Sequence, residues 1–84
     1  MDWYETVNFY QIRLINGKSM IWETNLSYEE AKEEIGTKHF IRVYVDEELH
    51  TRAIESIKDI TERKRDIYKK KYTAKRRKLG LSKE

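Results

Sequence analysis

The segment RKRDIYKKKYTAKRRK, residues 63–78, carries ten lysine or arginine side chains in sixteen positions and one acid, Asp66. Such side chains neutralise backbone phosphates and release counterions, which is the chemistry of nucleic-acid binding. Tyr68 and Tyr72 lie one helical turn apart and could stack on unpaired bases. The candidate nucleic-acid-binding residues are Arg63, Lys64, Arg65, Tyr68, Lys69, Lys70, Lys71, Tyr72, Lys75, Arg76, Arg77 and Lys78.

Two other interpretations of this basic segment (residues 63–78) stay open. It could contact an acidic protein surface, or it could be the solvated end of a helix whose early acids and late bases complement the helix dipole. Asp66 and Lys70 have the spacing of a favourable ion pair on such a helix. Membrane docking is not expected, because the segment offers too few large apolar side chains to insert.

No pattern of catalytic or metal-binding residues stands out elsewhere. His39 and His50 have no Glu or second His at metal-ligand spacing, and no Ser or Thr lies in a glycine-rich or nucleophile-elbow context. The chain has no cysteine, so it has no thiolate ligand. We therefore expect no catalytic residue, no metal, no cofactor and no enzymatic activity.

Charge divides the chain into two parts. Through residue 61 there are seven basic and twelve acidic residues, a net charge of −5, and from residue 62 onward eleven basic and three acidic residues give +8. We predict an acidic domain at 1–61 and a basic C-terminal helix or tail at 62–84. The lack of cysteine, of a signal-like start and of an apolar stretch of about 20 residues predicts a cytoplasmic protein.

The strongest local signal for secondary structure is Asn16-Gly17 between two runs rich in β-branched and aromatic residues. This dipeptide is typical of a two-residue type I′ hairpin turn, which would pair Ile12 with Ile21. One face of the hairpin would then carry Tyr10, Ile12, Leu14 and Ile21, and the other Phe9, Ile15, Met20 and Trp22.

The next segments predict a short helix and a strand. Ser27 and Glu30 form a capping box for a helix at about 28–35, with Gly36 at its C′ position. Alternation of apolar residues over 40–45 predicts a strand.

The segment after residue 48 is ambiguous. We predict a short strand near 49–54, paired with 40–45, and then a helix over about 56–79; the alternative is one continuous helix from about 51. The fold class is therefore α+β: a small antiparallel sheet, made of a hairpin and one or two further strands, with one short helix and a basic C-terminal helix.

The acidic domain holds more large apolar side chains than one sheet face can cover. The candidate protein-binding residues are Phe9, Met20, Trp22, Phe40 and Tyr44. Aromatic residues and Met are enriched as anchors in protein interfaces, and self-association into a homo-oligomer would meet the same need. The alternative is that the C-terminal helix covers the second face of the sheet.

The stretches IRLINGKSMIWETNLSYEEAKEEI and HFIRVYVDEELHTRAIESIKDI resemble the layout of small bacteriophage and prophage accessory proteins over residues 9–60. The LINGK turn is also similar to that of small flagellar-associated proteins of the FlbD type. The resemblance to phage proteins implies binding to a host macromolecule in the host cytoplasm.

Two functions follow as hypotheses. The first is a non-enzymatic protein of phage or mobile-element type that binds and modulates, by inhibition, a host protein or assembly. The alternative is a small regulator that binds DNA or RNA through the basic C-terminal helix.

Overall fold

The computed structural model describes residues 2–44 and 47–79, with only the backbone described for Tyr44 and residues 75–79. A 3₁₀ turn at Trp3–Glu5 precedes the first strand. The strands are β1 (Asn8–Leu14), β2 (Ser19–Thr24), β3 (Phe40–Tyr44), β4 (Glu47–His50) and β5 (Ile54–Asp59), and the helices are α1 (Tyr28–Thr37) and α2 (Thr61–Leu79).

The strands form two antiparallel sheets, which confirms the α+β prediction. Strand β1 is central in a three-stranded sheet of order β2-β1-β5, and β3 pairs with β4 in a separate two-stranded sheet. Strand β3 pairs with the segment that follows it, as predicted, although Val45 lies outside the described residues. The predicted bounds of the partner strand, 49–54, are wrong, because β4 ends at His50 and a 3₁₀ turn at Thr51–Ala53 follows it.

The hairpin between β1 and β2 has a different register from the predicted one. Its loop has three residues, since the N–H of Leu14 donates to Lys18 O across it. Within the loop the N–H of Gly17 donates to Leu14 O, and Gly17 has a positive φ of 91°. Ile12 therefore pairs with Met20 rather than Ile21. A shift by one residue moves a whole strand's side chains to the opposite face, so the predicted division of the two faces is wrong for β2.

Helix α1 begins as predicted and ends later. The Ser27 hydroxyl accepts the N–H of Glu30, and the Glu30 carboxylate accepts the N–H of Ser27, which completes the capping box. Gly36 lies inside the helix and not at its C′ position, since the helix continues to Thr37 and Lys38 is its C-cap. The N–H of Lys38 still donates to Glu34 O, and the helix is two residues longer than predicted.

Residues 54–59 form a strand, so the predicted helix from about 56 and the alternative of a continuous helix from about 51 are both wrong. The isoleucines at 54 and 57 face Leu14 and Ile12 across the β1–β5 ladder. Strand β1 has a second edge whose N–H and C=O groups need partners, and β5 supplies them.

The central sheet packs against other elements on both faces, but the second face is covered only in part. The first face, which carries Tyr10, Ile12, Leu14 and Trp22, packs against α1 and β3 in the larger core. The second face, which carries Phe9, Gln11 and Ile21, packs at one end against α2 and the N-terminal 3₁₀ turn in a smaller core. The structure therefore follows the alternative in which the C-terminal helix covers the second face.

Candidate nucleic-acid interface

The start of α2 is fixed to the central strand. The Thr61 hydroxyl accepts the N–H of Phe9 (3.0 Å) and donates to the carbonyl of the same residue (3.2 Å). The Asp59 carboxylate accepts the N–H of Thr61 at 2.9 Å. Thr61 is buried, so these bonds are sheltered from water and set the direction in which α2 leaves the sheet.

The Arg65 guanidinium is bonded within the folded body. Its Nε donates to Tyr4 O (3.1 Å), and its Nη2 donates to Val7 O (2.8 Å) and to Asn8 Oδ1 (3.3 Å). These acceptors belong to the N-terminal turn and the start of β1. Arg65 therefore ties α2 to the N-terminus, and its Nε and Nη2 donors are engaged within the protein, whereas the sequence predicted a phosphate contact.

Tyr68 and Tyr72, predicted to stack on bases, instead pack in an aromatic cluster with Trp3, Tyr4 and Phe9. Tyr4 stacks on both tyrosines with ring centroids 5.8 Å apart, and Trp3 meets Tyr68 edge-on at 4.9 Å. The Trp3 indole N–H donates to the Tyr72 hydroxyl at 3.3 Å. Both tyrosines are half-buried, so their rings stabilise the fold and do not form an open stacking platform.

Burial also affects the ionisation of Tyr68. The pKa of Tyr68 is raised above its ordinary value, first by desolvation and then by the negative charge of Glu23 and by Tyr72. The phenol is thus held neutral, as expected for a ring that packs against other rings.

The outward side of α2 is basic. Its exposed cations are Arg63, Lys69, Lys70 and Lys71. Lys70 is paired with Asp66 at 3.1 Å, and Lys64 lies 5.3 Å from the centroid of the Tyr68 ring. Within the described part of the chain, no carboxylate lies within 4.0 Å of the cationic groups of Arg63, Lys69 or Lys71.

The remaining residues predicted to contact phosphates lie in the last part of α2. Residues 75–79 are helical, and their positions extend α2 along the same axis. The side chains of Lys75, Arg76, Arg77 and Lys78 lie outside the described residues. From Arg63 to residue 78 the helix rises about 22 Å at 1.5 Å per residue.

A groove between α2 and the open part of the second sheet face was not predicted. Its volume is about 180 Å³, and it is lined by Gln11, Ile21, Ile60, Arg63, Lys64 and Ile67. No sequence signal pointed to it, because the predicted register placed Ile21 on the other face of the sheet. Only the observed register brings Ile21 beside Gln11 and beneath α2.

The predicted protein-binding residues separate into three groups. Phe9 and Trp22 are buried in the two cores, so the prediction that they form a surface for a partner is wrong. Met20 is half-buried against the larger core. Phe40 is 51% exposed and meets the His50 ring edge-on at 4.7 Å, and the side chain of Tyr44 lies outside the described residues.

Neither a metal site nor a membrane-crossing helix is present among the described residues. Across residues 2–44 and 47–79, no three His, Asp or Glu side chains are grouped closely enough to hold a metal ion. Neither α1 nor the described length of α2 combines the length and apolar character that a membrane-crossing helix needs.

Comparisons with known proteins do not place the chain in a family. Protein-family models, curated proteins and solved structures each gave no significant match. The resemblance to small phage accessory proteins and to FlbD-type proteins therefore stays a prediction, and the function must be argued from the surface of α2.

Proposed function

We propose that this protein is a non-enzymatic nucleic-acid-binding protein that holds the phosphate backbone along the exposed side of α2. The observation that carries the proposal is the set of exposed cations on this helix, several of them with no carboxylate partner among the residues described. A surface ion pair is worth little, but unpaired cations that contact phosphates gain affinity from each counterion they release.

The structure changes the ranking of the two hypotheses drawn from the sequence. Two of the five predicted protein-binding anchors, Phe9 and Trp22, are inside the protein. In the described part of α2, Arg65 is bonded within the fold, while Arg63, Lys69 and Lys71 are exposed and have no carboxylate within 4.0 Å. Binding through charge is therefore favoured over binding through an aromatic sheet face.

The test is a salt titration of binding to a short DNA or RNA, measured by fluorescence anisotropy. With about six to eight phosphate contacts, log K should fall against log salt with a slope of about −4 to −7. Replacing the three lysines at 69–71 by Gln should make the slope shallower by about 2 to 3, since each contact contributes about 0.7 to 0.9.

A matched control removes the same charge from the acidic domain. Its three substitutions are Lys18→Gln, Lys32→Gln and Lys38→Gln, all at exposed positions. The control should keep the slope of the unaltered protein. Equal losses in both triple variants would show that only net charge matters, and no binding at low salt would refute the proposal.

A second candidate function is favoured by one exposed ring. Phe40 is half exposed at the start of β3, so the hypothesis of a phage-type protein that inhibits a host protein in the cytoplasm keeps one described anchor. Its test is capture from bacterial lysate by the unaltered protein and by Phe40→Ser. A partner retained equally by both proteins would exclude Phe40 as the anchor.

A further inference from the structure

The groove between α2 and the second sheet face is lined by both apolar and basic side chains. Ile21 and Ile60 line it together with Arg63 and Lys64, which belong to the helix that carries the exposed cations. Ile67 also lines the groove and is 47% exposed, so an apolar side chain of α2 is accessible to a ligand there.

Gln11 adds a hydrogen-bonding group to this groove. Its side chain is half-buried, and no hydrogen bond joins its amide to any other described residue. An amide offers both donors and an acceptor, which is what the edge of a nucleobase requires. Amide side chains recognise base edges in this way in other complexes.

The volume of about 180 Å³ restricts what the groove can hold. Pockets for separate drug-sized ligands start at about 300 Å³, so this groove suits one small group of a longer ligand. The neighbouring cations favour a ligand that is anionic along its length, since Lys69, Lys70 and Lys71 are exposed on α2 and the sequence has four more basic residues at 75–78. A nucleic-acid strand with one unpaired base meets both conditions.

We infer that the groove is the seat of one unpaired base and that the ligand of α2 is a single-stranded nucleic acid. The inference rests on the proposed function and deepens it. The base would lie against the isoleucines with its edge toward Gln11, while its phosphates lie toward Arg63 and Lys64. A base inside a duplex is stacked and paired, so it would not reach the groove.

The experiment compares three anionic probes of equal length, about twelve nucleotides, which is within the usual site size for single strands. They are a single strand, an abasic chain with the same phosphates, and a duplex. The unaltered protein should bind the single strand about tenfold more tightly than the abasic chain, the ratio expected for one base contact.

Two groove variants and one control separate the base from the charge. Gln11→Ala and Ile67→Ala should each lose about fivefold to tenfold in affinity for the single strand and leave the abasic chain unaffected. Ile15→Ala removes an apolar side chain that is 70% exposed at the hairpin loop, away from the groove, and should change neither. Circular dichroism of each variant confirms that it is folded.

The results distinguish this inference from the proposed function. If all three probes bind equally and the groove variants change nothing, charge-based binding stands and the base seat is refuted. If the groove variants weaken the single strand and the abasic chain by the same factor, the groove does not recognise a base. If no probe binds at low salt, or if an acidic peptide with apolar side chains binds in their place, both proposals fail.

Discussion

Arg65 is the residue for which the sequence and the structure predict opposite results. As one of ten basic residues in a basic segment, it would be a phosphate contact whose loss weakens binding and leaves stability alone. In the structure it donates to Tyr4 O, Val7 O and Asn8 Oδ1 and joins α2 to the N-terminal turn. Arg65→Ala should therefore destabilise the fold.

The magnitude follows from those three bonds. A hydrogen bond from a charged donor contributes about 1.5–3 kcal/mol, and two of the bonds share Nη2 in a site that is only half-buried. We expect a loss of about 2–3 kcal/mol in the free energy of unfolding. For a chain of this size, that loss lowers the thermal midpoint by about 10–20 °C. It is also a large share of the total free energy of unfolding, which is about 4–13 kcal/mol.

The assay is thermal unfolding followed by circular dichroism, with two comparison variants. Arg63→Ala removes an exposed guanidinium two residues earlier and should cost less than about 0.5 kcal/mol. Arg65→Lys keeps the charge but cannot reproduce the planar fork of donors, so it should recover no more than about half of the loss.

Binding measured well below the midpoint completes the test. Because Nε and Nη2 of Arg65 already donate within the protein, Arg65→Ala, measured where it is folded, should keep the salt slope of the unaltered protein. If Arg65→Ala unfolds within about 2 °C of Arg63→Ala, the tie between α2 and the N-terminus does not stabilise the fold, and the reasoning is refuted.

Three further predictions concern single positions. Thr61→Val should cost about 1–3 kcal/mol in urea unfolding, since it leaves the buried N–H of Phe9 without its acceptor; a neutral result would contradict this bond. Gly17→Ala should cost about 1 kcal/mol in the same assay because φ is 91° there, and an unchanged midpoint would mean that the turn relaxes. The raised pKa of Tyr68 favours the fold fully below the ordinary tyrosine pKa of about 10, and this contribution is lost as pH rises through the folded pKa. Unfolding between pH 9 and about pH 11 should thus show a smaller loss of stability in Tyr68→Phe, and parallel curves would exclude this titration.

Several elements could be predicted because their signals are local. The Ser27–Glu30 capping box lies within four residues, and the alternation over 40–44 needs no partner to be recognised. The predicted α+β class and the helical nature of the basic segment follow from signals of this kind. The density of basic residues over 63–78 likewise identified the exposed lysines of α2 as candidates for phosphate contact.

Other features could not be predicted because they depend on partners distant in the chain. The isoleucine spacing at 54, 57 and 60 is consistent with a helix, and only the free edge of β1 makes residues 54–59 a strand. Sequence cannot separate Arg65 from its basic neighbours, since its acceptors lie about 60 residues earlier.

The sequence by itself determined where the hairpin, α1 and the basic helix occur, because caps, alternation and charge act over a few residues. The tertiary structure decided which side chains meet. A three-residue loop moved Trp22 into the larger core and Ile21 to the second face, since one residue of register exchanges the two faces of a strand. That exchange buried Trp22, which the sequence had placed on a protein-binding surface, and brought Ile21 beside Gln11 in the groove next to α2.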